Sequence, residues 1–152
     1  MNVIAVDDEK IQLASLKNAI EAALPEAEFT CFSSSASALD HARSLVKNRN
    51  THVDVAFLDV EMRGMDGLEL AKELREIHNK INVVFVTGYL EYAINSYEVD
   101  ASAYLLKPVS EEKVHKAMLQ LRDPIGGTIV PETIPVHFCS GHSEGFDDIL
   151  VI

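Results

Sequence analysis

Short apolar runs alternate with segments of helical period along the first 122 residues, and this alternation constrains the fold more than any other feature. Residues 2–6, 28–32, 53–58, 82–86 and 102–106 have strand length. The runs 53–58 and 82–86 are almost continuously apolar, as expected of strands covered on both faces. Between them lie helical segments. Residues 10–24 place Leu13, Leu16, Ile20 and Leu24 on one stripe, and Pro25 stops them. Residues 36–47 follow Ser33, Ser34 and Ser35, which are capping residues. Leu70, Leu74 and Ile77 follow the turn signal Asp66-Gly67. Residues 90–97 (LEYAINSY) form a shorter helix, and Ser110 opens a last one with Val114, Ala117, Met118 and Leu121 inward. Five β–α pairs of this kind predict an α/β fold: a doubly wound, flavodoxin-like, five-stranded parallel sheet of order 2-1-3-4-5.

That order gathers chemistry at one sheet edge. Asp7 and Asp8 follow the first run, Asp59 the third, Thr87 the fourth and Lys107 the fifth. Ligands bind at the carboxyl ends of such strands, where the strand order reverses. Clustered carboxylates repel one another unless a cation lies between them or one takes a proton. Hard oxygen donors suit Mg²⁺. A metal there can clamp a phosphate oxygen while an aspartate attacks phosphorus, and Lys107 neutralises charge on the other side.

Composition narrows the class. With 47% hydrophobic residues a packed core is expected, and a formal net charge of −11 argues against binding nucleic acid through bulk electrostatics. No apolar stretch approaches the ~20 residues needed to span a bilayer, and no signal-peptide pattern follows Met1, so a cytoplasmic protein without membrane contact is expected. Cys31 and Cys139 do not make a disulfide scaffold. After Arg122 the composition shifts. Residues 123–127 contain one Pro and two Gly and read as a linker, so the domains divide as 1–122 and a linker and tail over 123–152. The tail's apolar patches, 134–139 and 149–152, are strand-prone and suggest the start of a larger output domain cut short. His137, Cys139 and His142 invite a zinc reading, but no fourth ligand is evident and the spacing fits no finger.

The set Asp7-Asp8-Glu9, Leu58-Asp59-Val60-Glu61-Met62, Met65-Asp66-Gly67, Val86-Thr87-Gly88 and Tyr104-Leu105-Leu106-Lys107-Pro108 resembles the receiver domain of two-component response regulators over roughly residues 1–122. The resemblance implies that Asp59 accepts a phosphoryl group from a phosphohistidine on a sensor histidine kinase. It implies Mg²⁺ as cofactor, held by the carboxylates of Asp8 and Asp59, by the backbone carbonyl of Glu61, and by Asp7 mainly through water. It further implies a cis Lys107–Pro108 bond, Thr87 and Tyr104 as a coupled switch, and no enzymatic activity beyond self-phosphorylation and autodephosphorylation. Tyr89 and Glu61 resemble positions that tune dephosphorylation. Arg63 stands where many receivers have Pro, a departure expected to loosen the loop without touching the chemistry. Tyr92, Tyr97 and Tyr104 suit a homodimer face made by residues 90–97, the last strand and the last helix. DNA would be reached only through an output domain missing from this chain. Residues 139–146 weakly resemble the opening strand of winged-helix output domains. Residues 91–99, with Tyr104 to Pro108, look more like receivers joined to LytTR-type DNA-binding domains. The two hints point in different directions.

Other functions compete. A phosphohydrolase of the haloacid-dehalogenase type also forms an aspartyl-phosphate, but it wants an Asp where this chain has Glu61, and its acidic metal pair comes late. A flavodoxin needs a phosphate cradle where Asp7-Asp8-Glu9 would repel phosphate. A docking module that takes no phosphate has no need of the complete residue set. Taken singly, each feature has an ordinary structural reading: Asp7 or Asp8 as a cap for the first helix, Thr87-Gly88 as a turn, Tyr104 as an aromatic on the outer face of an edge strand.

Overall fold

The computed structural model describes residues 1–88, 101–121 and 149–151. Strands β1 (Asn2–Val6), β2 (Glu28–Phe32), β3 (Val55–Asp59), β4 (Asn82–Thr87) and β5 (Ala103–Leu106) form a parallel sheet in the order β2-β1-β3-β4-β5. This is the predicted flavodoxin-like arrangement. A sixth strand, β6 (Ile149–Val151), pairs antiparallel with β5 at the sheet edge, with Tyr104 opposite Leu150. This antiparallel strand lies beside the five-stranded parallel sheet and is not among the five strands that the sequence pattern predicts for it.

Helices α1 (Lys10–Ala23), α2 (Ser35–Arg49), α3 (Gly67–Ile77) and α4 (Glu111–Met118) cover the sheet. The strands distribute their side chains by simple alternation. Ile4, Val6, Ala56, Leu58, Val83, Phe85 and Tyr104 face α2 and α3. Val3, Ala5, Val55, Phe57, Val84, Val86, Ala103 and Leu105 face α1 and α4. With helices on both sides, β3 and β4 are buried at every position, which explains their unbroken apolar runs.

The helix ends follow local chemistry. Ser34 caps α2, its side chain accepting from the Ser37 amide at 3.2 Å. Asp66 and Glu69 form a reciprocal capping box at α3. Ser110 caps α4 by accepting from the Lys113 amide. α1 begins without a side-chain cap, so neither Asp7 nor Asp8 is spent that way. The predicted helix over 90–97 lies outside the described residues, as do Tyr89, Tyr92 and Tyr97, and His137, Cys139 and His142. Among the described residues no helix is long and apolar enough to cross a membrane.

Candidate functional site

The ends of β1, β3, β4 and β5 bring together the residues that the sequence singles out. Asp7, Asp8 and Asp59 each offer a carboxylate oxygen, and these three atoms lie within 4.8 Å of one another. Asp7 is fully buried and Asp59 is 3% exposed. The Lys107 ammonium lies 3.1 Å from Asp7 Oδ2 and 3.1 Å from Asp59 Oδ1, so one cation bridges two buried carboxylates. Thr87, the last residue of β4, is buried beside Asp59's strand, and its carbonyl accepts the Lys107 amide at 2.8 Å. The Lys107–Pro108 peptide is cis.

Backbone groups orient the carboxylates. Asp7 Oδ1 accepts from the Glu9 amide at 2.9 Å. Asp8 Oδ2 accepts from the Arg63 amide at 3.0 Å. This second bond corrects the expectation that Arg63 lies apart from the chemistry. The amide of the residue after Met62 ties the loop following β3 to an acidic site residue, and a proline there would have no N–H to give. Sequence reasoning missed the contact because it weighed the arginine side chain and not its backbone.

Electrostatics mark the centre of the site. Burial pushes the Asp59 carboxyl up from 3.8 to about 6; the Lys107 ammonium opposes this, and the Asp7 and Asp8 charges add to it. For Lys107, burial pulls the ammonium down, but Asp59 and Asp7 together outweigh it and leave its pKa above the usual lysine value. The three-oxygen donor set is hard, anionic and crowded, which fits Mg²⁺. A divalent cation there would relieve a repulsion that Lys107 offsets only in part.

Two further residues are placed differently. Tyr104 points inward, 2% exposed, its ring stacked on Phe85 with centroids 5.3 Å apart. It therefore fills the sheet face toward α2 and α3 and not a solvated outer surface. Glu61 is exposed, on the rim of a groove of about 440 Å³ lined also by Val60, Met62, Arg63, Asp66 and Leu68.

Residues 3–119 match the family described as response regulator receiver domain. The chain belongs to this family. It is 33% identical over 114 residues to the sensory transduction protein LytT of Bacillus anthracis, covering 75% of this chain and 44% of that protein. It is 31% identical over 153 residues to the transcriptional regulatory protein BtsR of Salmonella typhi, covering 95% of this chain and 60% of that one. The chain thus spans roughly half the length of the curated relatives it matches. A receiver domain protein from Clostridium thermocellum superposes with a TM-score of 0.64 at 28% identity, covering 77% of this chain and 90% of that one. The bacteriophytochrome response regulator RtBRR shares the fold with a TM-score of 0.71 at 22% identity, over 91% of each chain. Receiver domains are signalling modules of two-component systems that bind Mg²⁺ at an acidic pocket, and this chain brings Asp7, Asp8 and Asp59 together in an acidic cluster.

Proposed function

We propose that this receiver is a working phosphoacceptor: Asp59 takes a phosphoryl group from a phosphohistidine on a sensor kinase, with Mg²⁺ held by Asp7, Asp8, Asp59 and the Glu61 carbonyl. The observation that carries this reading is the Lys107 ammonium 3.1 Å from Asp59 within a buried carboxylate cluster. An Asp59 carboxylate oxygen attacks phosphorus. A P–O bond forms as the P–N bond to imidazole breaks, and the electron pair stays on the imidazole nitrogen. With a pKa of about 6, Asp59 is mostly ionised at neutral pH and available for the attack. Bound Mg²⁺ supplies neutralisation of phosphoryl charge beside the carboxylates. Lys107, already in contact with Asp59, stabilises charge developing on the transferred group.

The acyl phosphate adds about −1.5 to −2 charge at Asp59. The Thr87 hydroxyl bonds a phosphoryl oxygen and Lys107 holds another, which stabilises the inward Tyr104 position against Phe85. The output then passes through residues 90–97, β5 and α4, by homodimer formation or by control of an output domain that reaches DNA.

The test is incubation with Mg²⁺ and a small phosphodonor. The wild type accumulates one hydroxylamine-labile acyl phosphate, and Asp59→Asn accumulates none. Full labelling of Asp59→Asn would sink the assignment, and rapid release of inorganic phosphate without accumulation would favour a phosphohydrolase.

A further inference from the structure

Lys113 stands in the first turn of α4, where a cation opposes the helix dipole; the two residues before it, Glu111 and Glu112, have the favoured sign. Its backbone amide is satisfied by the Ser110 cap at 3.2 Å. Its side chain turns back onto the loop before the helix. The ammonium donates to the Leu106 carbonyl at 3.2 Å and to the Pro108 carbonyl at 2.7 Å. These are the carbonyls immediately before and after Lys107. With the Lys107 amide bonded to Thr87 at 2.8 Å, the backbone around the site lysine is fixed from both sides.

We infer that Lys113 is a positioning residue for Lys107: by bridging the carbonyls that flank it, Lys113 holds the turn from which the Lys107 ammonium reaches Asp7 and Asp59. The inference rests on the phosphoacceptor reading and deepens it. Lys107 spans two carboxylates with 3.1 Å contacts to each, so a small displacement of its backbone breaks one of them. The carboxylates themselves sit on the two residues after β1 and on the last residue of β3, which Lys113 does not touch through these bonds. Loss of Lys113 should therefore slow phosphoryl transfer and spare cation binding.

The experiment compares the full chain with Lys113→Met and Lys113→Arg. Three quantities are measured: the rate of acyl-phosphate formation at saturating Mg²⁺, Mg²⁺ affinity by NMR titration, and hydrogen exchange at the Lys107 amide. Lys113→Met is expected to slow labelling about tenfold, the scale of a misplaced catalytic group, and Lys113→Arg to recover to within about twofold of wild type. Mg²⁺ affinity stays unchanged in both, and the Lys107 amide exchanges faster in Lys113→Met alone. Wild-type labelling by Lys113→Met overturns the inference. So does slower labelling with an unchanged Lys107 amide, which leaves only a charge effect, or with a parallel loss of Mg²⁺ affinity, which makes the role merely structural. Failure of the phosphoacceptor reading looks different, because the wild type itself then takes up no phosphate. Exchange at Lys107 in Lys113→Met still decides the positioning claim in that case.

Discussion

Without a bound cation, an ionised Asp59 destabilises the fold. Its carboxyl lies near 6 in the folded chain against 3.8 for an ordinary aspartate, so between these values the folded form binds more protons than the unfolded one. Stability from this group is greatest below pH 4, falls as pH rises, and is fully lost above pH 6. The gap corresponds to an upper limit of about 3 kcal/mol. Asp59→Asn, which cannot ionise, should therefore be the more stable protein in metal-free urea unfolding at pH 7.5. Its advantage should be about 1–2 kcal/mol, smaller than the limit because solvent screens part of the desolvation and Asn is a weaker partner for Lys107. The advantage should shrink toward zero by pH 4. A variant less stable than wild type at pH 7.5, or an advantage independent of pH, would contradict the desolvation argument. At this scale the acidic cluster was legible because its chemistry resides in side-chain types at strand ends. The Arg63 amide on Asp8 was not legible, since any residue except proline offers the same N–H. The Lys113 contacts were hidden for a related reason: a backward-reaching lysine looks in sequence like an ordinary solvated charge.

Among the elements, α3 shows how closely the site is built against its scaffold. Its capping box fixes Asp66 and Glu69 at the start, and the Gly67 amide donates to the Val60 carbonyl at 3.0 Å. A Cβ at Gly67 would collide with the backbone of Asp59 and Val60, and no flexible side chain is there to yield. Gly67→Ala should push α3 away from the end of β3. We expect a stability loss of about 1–3 kcal/mol in urea unfolding, as for other overpacked positions. Asp59 labelling should fall with it, because the backbone being displaced carries the nucleophile. Unchanged stability in Gly67→Ala would show that the approach is looser than the geometry states. The sequence located α3 well, because Asp66-Gly67 and the stripe Leu70, Leu74, Ile77 are strong signals. It placed β3 two residues early and closed it one residue short, since Val53 extends the apolar pattern past Asp54 while β3 itself runs from Val55 to Asp59. Periodicity finds such elements but does not fix where backbone pairing starts.

For the whole molecule, the open question is what the tail does for the receiver. The described core residues on both faces of the sheet all lie between Val3 and Leu121. β6 adds an antiparallel ladder of three residues to the outer edge of β5 and lies near α4. The sequence could not reveal this pairing, because a three-residue apolar run carries no register signal. A chain ending after Leu121 keeps every core residue among the described ones. The ladder says that such a chain exposes the β5 edge, a template for pairing with another chain. A truncated chain of residues 1–121 is therefore expected to unfold cooperatively and to be labelled at Asp59 like the full chain. It is also expected to self-associate more strongly in sedimentation as concentration rises. With a net charge of −11 in the full chain, that association should strengthen with salt as like-charge repulsion is screened. If truncation abolished cooperative unfolding, the tail would be part of the receiver's core. If the truncated chain stayed monomeric at every salt concentration, β6 would not be what protects the β5 edge.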